Sequence, residues 1–523
     1  MRSKEENLLV VMAYPIKDRV ARSSLFSILI SLTDKHVCHL CRMRYLGVLV
    51  LLATFSFPSL YFAFSDPSSS LIQVSLLYKE ASYIISSQTK TGSIKLAPSS
   101  QSIVPYFSNI AAVGLIKAYK LTGNSTYLFA ARNWLDWYSA HQNRGIDVKG
   151  IRGTIYDFKL LSNGSEVPTF DYDSSDSYAA TYLWALYEYF LATNDSSYLK
   201  QREENILLAI DAIFATMNQD NLTYAKPDYK IKYLMDNCEV FKGVYSAGKI
   251  LLVLGNSSGT KLIEKSEAIR SSILSNFLTK EGYFIWAPSV SVNLNNFYPD
   301  LMANFWPIIM NVVDGNSSIA QKLFSVLKPY KYWDLSISKS SAAMSSAYFS
   351  YLVGRSNITQ LLFSKASALY PSNEWPWHVA EAAWTILAFY YFDVDGGLVV
   401  NSFKVTETQN KILLNLTFGG YGNGTVKIFV PENYKNVTIT FNDSKQPSNT
   451  RAIKISSVGL DKYIQVSSIY PGNKISVIFF LNPPGSTSSQ SQESNSFNLR
   501  LLLIVAVLAF LLLILFIMKR RNP

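Results

Sequence analysis

The feature that most constrains this chain is a sixfold alternation of helix types between residues 66 and 395. Apolar runs of helical length near 103–121, 174–193, 236–253, 297–312, 339–353 and 376–392 alternate with amphipathic runs near 70–89, 127–142, 199–217, 259–277, 317–329 and 358–369. Short turns join each apolar run to the next amphipathic one, as in LTGNSTYL (121–128), ATNDSSYL (192–199), LGNSSGTKL (254–262), VDGNSSIA (313–320) and GRSNITQL (354–361). A helix that is apolar on every face, such as SDSYAATYLWALYEYF at 175–190, needs a second shell around it. Six such pairs are expected to close or to stack, because no single pair buries its own apolar face.

After Asp393 the period changes to two. LVVNSFKV (398–405), KILLNLTF (411–418), TVKIFVP (425–431), NVTITFN (436–442), RAIKISSV (451–458), YIQVSSIY (463–470) and KISVIFFL (474–481) alternate with turn sequences such as GGYGNG and YPGN. Seven short strands in this space predict an immunoglobulin-like β-sandwich over 396–483.

The termini point to export. Residues 43–65 carry a basic start, an apolar run and a small-residue site at Ala63-Phe-Ser65, which is the layout of a signal peptide. Met43 is then the expected true start and 1–42 an over-extended frame; the alternative is a retained signal anchor. Residues 484–498 form a Ser-rich stalk, 499–518 an apolar run of bilayer-spanning length, and 519–523 a tail opening on Lys519, Arg520 and Arg521. The chain is expected to sit in a cell membrane through this one C-terminal helix, its body outside. Sequons at Asn124, Asn163, Asn194, Asn221, Asn256, Asn316, Asn357, Asn415, Asn423, Asn436 and Asn442 all fall between signal and stalk, which fits a glycosylated exterior.

Charge placement excludes nucleic acid as a partner. Of the net +11, residues 1–65 hold +4 and the tail +3, so only +4 remains for the whole body. No cofactor or metal is expected: the body has only His141 and His378, and HVCHLC at 36–41 lacks a second ligand pair. Cys238 stands alone in the body, so no intrachain disulfide forms.

Carboxylates recur where the apolar helices begin: Asp171, Asp173 and Asp176, then Asp236 and Glu239, then Asp300, then Glu374 and Glu381. Asp173 with Asp176, and Asp236 with Glu239, stand at i,i+3 and share a helix face. If the six apolar helices run parallel around an axis, all these starts meet at one end. Two carboxyls facing each other there, one protonated and one ionised, are the equipment of glycoside hydrolysis. Dipole and capping roles account equally for any single acid in a first turn. Glu381 with His378, at i,i+3 in an apolar turn, also reads as a structural pair. Tyr172, Trp375, Trp377 and His378 are the candidate sugar-binding residues, whereas Trp134, Trp137 and Trp184 have core spacing.

The six helical pairs, the turns LTGNSTYL and ATNDSSYL, the helix starts DSSDSYAATYLWAL and MDNCEVFKGVYSAGKILL, and the adjoining sandwich resemble the six-hairpin glycosidase superfamily over about 66–395. The resemblance implies a mainly α (α/α)6 toroid, a site at the mouth formed by the inner-helix starts, an oligo- or polysaccharide substrate, and an inverting acid/base pair. An inverting pair stands roughly 6.5–9.5 Å apart, so it is expected across helices: Asp173 or Asp176 as base, and Asp236, Glu239 or Glu381 as acid, with Glu239 and Glu381 favoured. The competing reading is a non-catalytic glycan-binding or cell-envelope protein on the same fold.

Overall fold

The structure, a computed structural model, describes residues 69–408, 411–431, 434–442 and 452–481. The upstream segment, signal, stalk, apolar C-terminal run and tail lie outside the described residues. So do 409–410, 432–433 and 443–451. Among the described residues no helix is long and apolar enough to cross a membrane.

Twelve helices make the toroid: α1 Ser69–Ser87, α2 Pro105–Thr122, α3 Ser125–His141, α4 Ser175–Thr193, α5 Glu203–Phe214, α6 Leu234–Val253, α7 Ser258–Phe277, α8 Trp306–Ile309, α9 Ser318–Leu327, α10 Ser345–Leu352, α11 Ser356–Leu369 and α12 Val379–Leu387. The even members form a closed inner ring, α2 against α4, α4 against α6, and on through α8, α10 and α12 back to α2. Closure is tight because glycines remove side chains at two seams. A Cβ on Gly243 of α6 would stand 2.5 Å from the Ala180 Cα of α4, and one on Gly114 of α2 would stand 2.7 Å from the Ala383 Cα of α12.

Three inner helices are shorter than the sequence runs. The run at 297–312 is a wide turn over Phe297–Leu301, a tight turn over Met302–Phe305 and the single α turn α8. Pro299 and Pro307 lack the N–H that a continuous helix requires. The run at 339–353 yields only α10, since a hairpin, β4 Ile337–Ser338 with β5 Ser341–Ala342, takes its start. That at 376–392 yields only α12, since Phe392–Val394 is a strand, β6.

A second repeat ties the ring together. After α1, α5 and α7 the chain makes the same small hairpin, with Thr89, Asn218 and Thr279 bonding backbone to Ser93, Leu222 and Tyr283. Each turns at a positive φ, at Gly92, Asn221 and Gly282. Two residues beyond each bridge a carbonyl receives the first N–H of an inner helix: Leu96 from Val379 of α12, Ala225 from Ser175 of α4, and Trp286 from Leu234 of α6. These bonds satisfy helix-start donors that have no partner within the helix. Buried amides seat two of the hairpins from the inner side. Asn237 Oδ1 accepts from Thr223 N at 2.8 Å, and Asn304 Oδ1 accepts from Phe284 N at 2.6 Å.

A further antiparallel sheet, β1 Ser102–Ile103, β2 Phe158–Leu160 and β3 Glu166–Pro168, borders the inner-helix starts. Glu166 pins it, its carboxylate accepting from Thr91 Oγ1, Ser93 Oγ and Trp137 Nε1, each at 2.6 Å.

The sandwich has eight strands rather than seven: β6, β7 Leu398–Thr408, β8 Lys411–Gly420, β9 Gly424–Val430, β10 Tyr434–Asn442, β11 Ile453–Val458, β12 Asp461–Ile469 and β13 Lys474–Leu481. Its antiparallel sheets run β10-β13-β8-β7 and β11-β12-β9-β6. Along β8, Ile412, Leu414, Leu416 and Phe418 point inward, as period two requires. The added strand β6 is too short and too continuous with the apolar end of α12 to register as an alternating run. Sandwich and toroid meet at the C-terminal ends of the inner helices. Lys117 pairs with Asp393 at 2.5 Å, Tyr421 Oη donates to Leu191 O at 2.6 Å, and Asp461 accepts from Ser356 N and Oγ at 2.9 and 2.7 Å. The helix-start end is therefore free of the sandwich.

Candidate functional site

At the helix-start end, α4 and α6 bring four carboxylates together. Ser174 caps α4: its Oγ accepts from Ser177 N at 3.2 Å and donates to Asp176 Oδ1 at 2.6 Å. Asp176 also takes the N–H of Ser177 at 2.8 Å and has no exposed surface. Glu239, 2% exposed, is fixed from two sides, its Oε1 accepting from Tyr106 Oη at 2.6 Å and Trp306 Nε1 at 2.7 Å. Asp173 is exposed and Asp236 half-buried, so of the four these two face the mouth.

The four groups act on one another electrostatically. Burial, then the charges of Asp176, Glu239 and Asp173, pushes the Asp236 carboxyl well above the usual range. Burial likewise carries Glu239 up to about 7, opposed by its hydrogen bonds from Tyr106 and Trp306. Asp176 rises to about 6 through burial, opposed by its serine partners and Thr223. Burial and mutual repulsion thus favour the protonated forms of these three carboxyls, and Asp236 is the one of them that reaches the mouth.

Glu381 already has protein partners. Its Oε2 accepts the N–H of Met344 at 2.5 Å, which caps the neighbouring helix α10, and its Oε1 stands 3.5 Å from His378 Nε2. Burial raises Glu381 to about 8 and lowers His378 to about 4. His378 caps α12, its Nδ1 accepting from Ala380 N at 3.3 Å, so the neutral ring carries its proton on Nε2, toward Glu381. Glu381 and His378 are thus neighbours in the apolar turn, each accepting a backbone N–H.

Two of the expected sugar-binding aromatics are core residues. Tyr172 is 1% exposed and donates its hydroxyl to Asp147 Oδ2 at 2.9 Å. Trp377 is 2% exposed and donates Nε1 to Glu80 Oε2 at 2.9 Å. Both indoles and phenols of this kind seek a buried acceptor, and here a distant segment supplies one. Trp375, at 64% exposure, remains open, 6.5 Å from the His378 ring. Asp171 is exposed and paired with Lys149 at 3.1 Å, Asp300 accepts from Asn296 Nδ2 at 2.6 Å within its own turn, and Glu374 is exposed.

Sequence reasoning missed Tyr298 and Asp157. Tyr298, 55% exposed, lies close enough to Asp173 and Asp236 that their charges, added to burial, lift its phenol to about 12. Tyr229 Oη and Tyr233 Oη lie 3.1 Å apart beside it, and Tyr233 stacks on Trp286 at 6.1 Å, making an aromatic shelf along the acidic cluster. Asp157 takes the Tyr178 hydroxyl at 3.0 Å and rises to about 7, chiefly by burial. Asp157 sits in an irregular segment with no period to mark it. Tyr298 was visible only as a neighbour of Asp300 in NNFYPDLM.

None of the ten sequon asparagines whose side chains are described is buried. Asn221 and Asn415 are engaged, accepting from Lys265 Nζ at 2.7 Å and Ser476 Oγ at 2.6 Å. Cys238 is a buried free thiol.

No family model and no curated protein matches this sequence. Among solved structures, the chain is similar to an α-L-rhamnosidase from Dictyoglumus thermophilum with a TM-score of 0.50 and 11% identity, over 77% of this chain and 49% of that one. This chain therefore spans about half the length of that enzyme. A structure titled Glycosidase Wild Type aligns at TM-score 0.44 and 11% identity over 62% of this chain and 98% of its own, and a bacterial glucoamylase complexed with acarbose at 0.44 and 12% over 60% and 55%. The likeness to the rhamnosidase is one of fold: twelve helices in two shells, an (α/α)6 toroid, with a C-terminal β-sandwich.

Proposed function

We propose that the chain is an outward-facing glycoside hydrolase, anchored through residues 499–518, that cleaves an oligo- or polysaccharide at the helix-start end of the toroid. The observation that carries the reading is the convergence of Asp173, Asp176, Asp236 and Glu239 at the one end of the ring that the sandwich leaves free. Asp236 is the general acid: it faces the mouth, and burial beside three other carboxylates strengthens its hold on its proton. Asp173, exposed and just before the cap of the neighbouring inner helix α4, is the base that activates water. Asp176 and Glu239 are positioning residues, spent on Ser174, Ser177, Tyr106 and Trp306, whose charges hold up the affinity of Asp236 for its proton. The shelf of Tyr298, Tyr229 and Tyr233 on one side, and Trp375 on the other, offers flat faces for sugar rings.

The acid–base division sets Asp236 and Asp173 apart from the favoured acids of the sequence reading, because Glu239 and Glu381 are committed to protein donors. The competing reading, a glycan-binding protein without chemistry, shares the shelf but has no use for a protonated acid. Incubation of the purified full chain with a panel of neutral and acidic oligo- and polysaccharides, with product detection by chromatography, separates the two. Reducing-end release supports hydrolysis, and saturable binding without product overturns it in favour of the binding protein.

A further inference from the structure

Far from the acidic mouth, where the inner helices end against the sandwich, two adjoining cavities of about 340 and 590 Å³ share Lys242, Asn311 and Asp314. The larger adds Tyr348 from α10 and Lys427, Lys454, Ser456 and Gln465 from the sandwich, so both halves of the molecule build its walls. Its volume falls in the range of small-ligand sites.

Basic groups outnumber acids on the lining of the larger cavity. It carries three lysines and one carboxylate, Asp314, whose Oδ1 is already turned to Asn316 N at 2.7 Å, while Asp393 and Asp461 lie close enough to Lys427 to favour its charge. Among the described residues none of the three lysines forms an ion pair. Aromatic faces hold two of them instead: the Lys427 ammonium lies 3.9 Å from the Tyr463 ring centre and 6.0 Å from that of Tyr351, and Lys242 lies 5.7 Å from that of Trp184. A cation on a ring keeps its outer N–H donors free. On the same wall Ser456 Oγ is buried with no partner among the described residues, an arrangement that costs stability unless something else bonds to it. Asn311 and Gln465 add further donors and acceptors, and Tyr348 a flat side.

We propose that this cleft binds a small acidic sugar, a mono- or disaccharide whose carboxylate, sulfate or phosphate meets Lys242, Lys427 and Lys454 while its hydroxyls meet Ser456, Asn311 and Gln465. A ligand held there contacts toroid and sandwich at once and stiffens their junction. The inference uses no residue of the acidic mouth, so it stands or falls independently of the hydrolytic reading.

Isothermal titration of the purified full chain with glucuronate, glucose 6-phosphate, glucose and inorganic phosphate tests it. The expected result is saturable binding of one or both charged sugars, weakened about tenfold or more by Lys454→Gln and by Lys242→Gln, with glucose silent. Lys454 is exposed, so Lys454→Gln keeps the fold, and an unchanged Tm without ligand verifies this. Failure of both charged sugars to bind, binding indifferent to the lysine changes, or equal affinity for inorganic phosphate, which marks an adventitious ion only, would each overturn the proposal.

Discussion

At the scale of single residues, the carboxylates of the helix starts divide by what already occupies them. Glu381 spends one oxygen on the Met344 N–H and turns the other to His378, so its work is the capping of α10. Glu381→Gln retains an oxygen for Met344 and is expected to leave hydrolysis within about twofold of the parent, whereas Glu381→Ala strands a buried N–H and lowers stability by about 1–3 kcal/mol. Chromatographic product assays and urea unfolding of both variants check this. A large loss of activity in folded Glu381→Gln would move the acid to Glu381.

At the scale of elements, the ring depends on helices approaching closer than side chains allow. A Cβ at Gly243 meets the backbone of Ala180, with the Ala180 carbonyl oxygen only 2.7 Å away, and backbone cannot swing aside as a flexible side chain does. Gly243→Val is expected to cost about 3 kcal/mol, seen as a lowered urea midpoint, since α4 and α6 must part. A midpoint equal to the parent's would mean that the two helices are not in this contact. Much of this level was legible beforehand. The sixfold alternation and the Gly/Asn/Ser turns marked the helix pairs because period 3.6 persists over many residues. The hairpins after α1, α5 and α7 went unread because each spends only a few residues on its bridge, and the buried amides that seat them, Asn237 and Asn304, look in sequence like any polar residue on a helix. The breaks at Pro299 and Pro307 were in plain view, yet the apolar run around them outweighed them. Whether an aromatic beside the site faces sugar or core was illegible: Tyr172 and Trp377 are buried by Asp147 and Glu80, partners remote in the chain.

For the whole molecule, stability should depend on pH in a way set by buried acids. Burial raises Glu80, Asp157 and Glu239 to about 7 and Glu381 to about 8, all above the ordinary values of 4.5 and 3.8. Between the ordinary and raised values the folded chain holds protons that the unfolded chain has released, so stability falls as pH rises through that window. His378, lowered from 6.5 to about 4, works oppositely, but only between those two values. Above pH 6.5 the acids act alone, and Tm is expected to fall from pH 6.5 to 8.5; a flat or rising Tm there would contradict the placement of these groups. Anchoring is a separate property. Deleting 499–523 is expected to release the protein into the medium, since no described helix is fit to span a bilayer, and retention of a processed truncated chain would refute the single-anchor proposal.

The central claim is that Asp236 gives a proton and Asp173 takes one. On a substrate found in the glycan screen, kcat of Asp236→Asn and Asp173→Asn is the measurement that tests it most directly. The amides keep shape and remove the proton chemistry. The account predicts that each loses at least about 10²-fold in kcat with Tm within a few degrees of the parent, and that the parent's activity declines as pH rises and Asp236 loses its proton. Folded Asp236→Asn and Asp173→Asn proteins that retain the parent's kcat would contradict it.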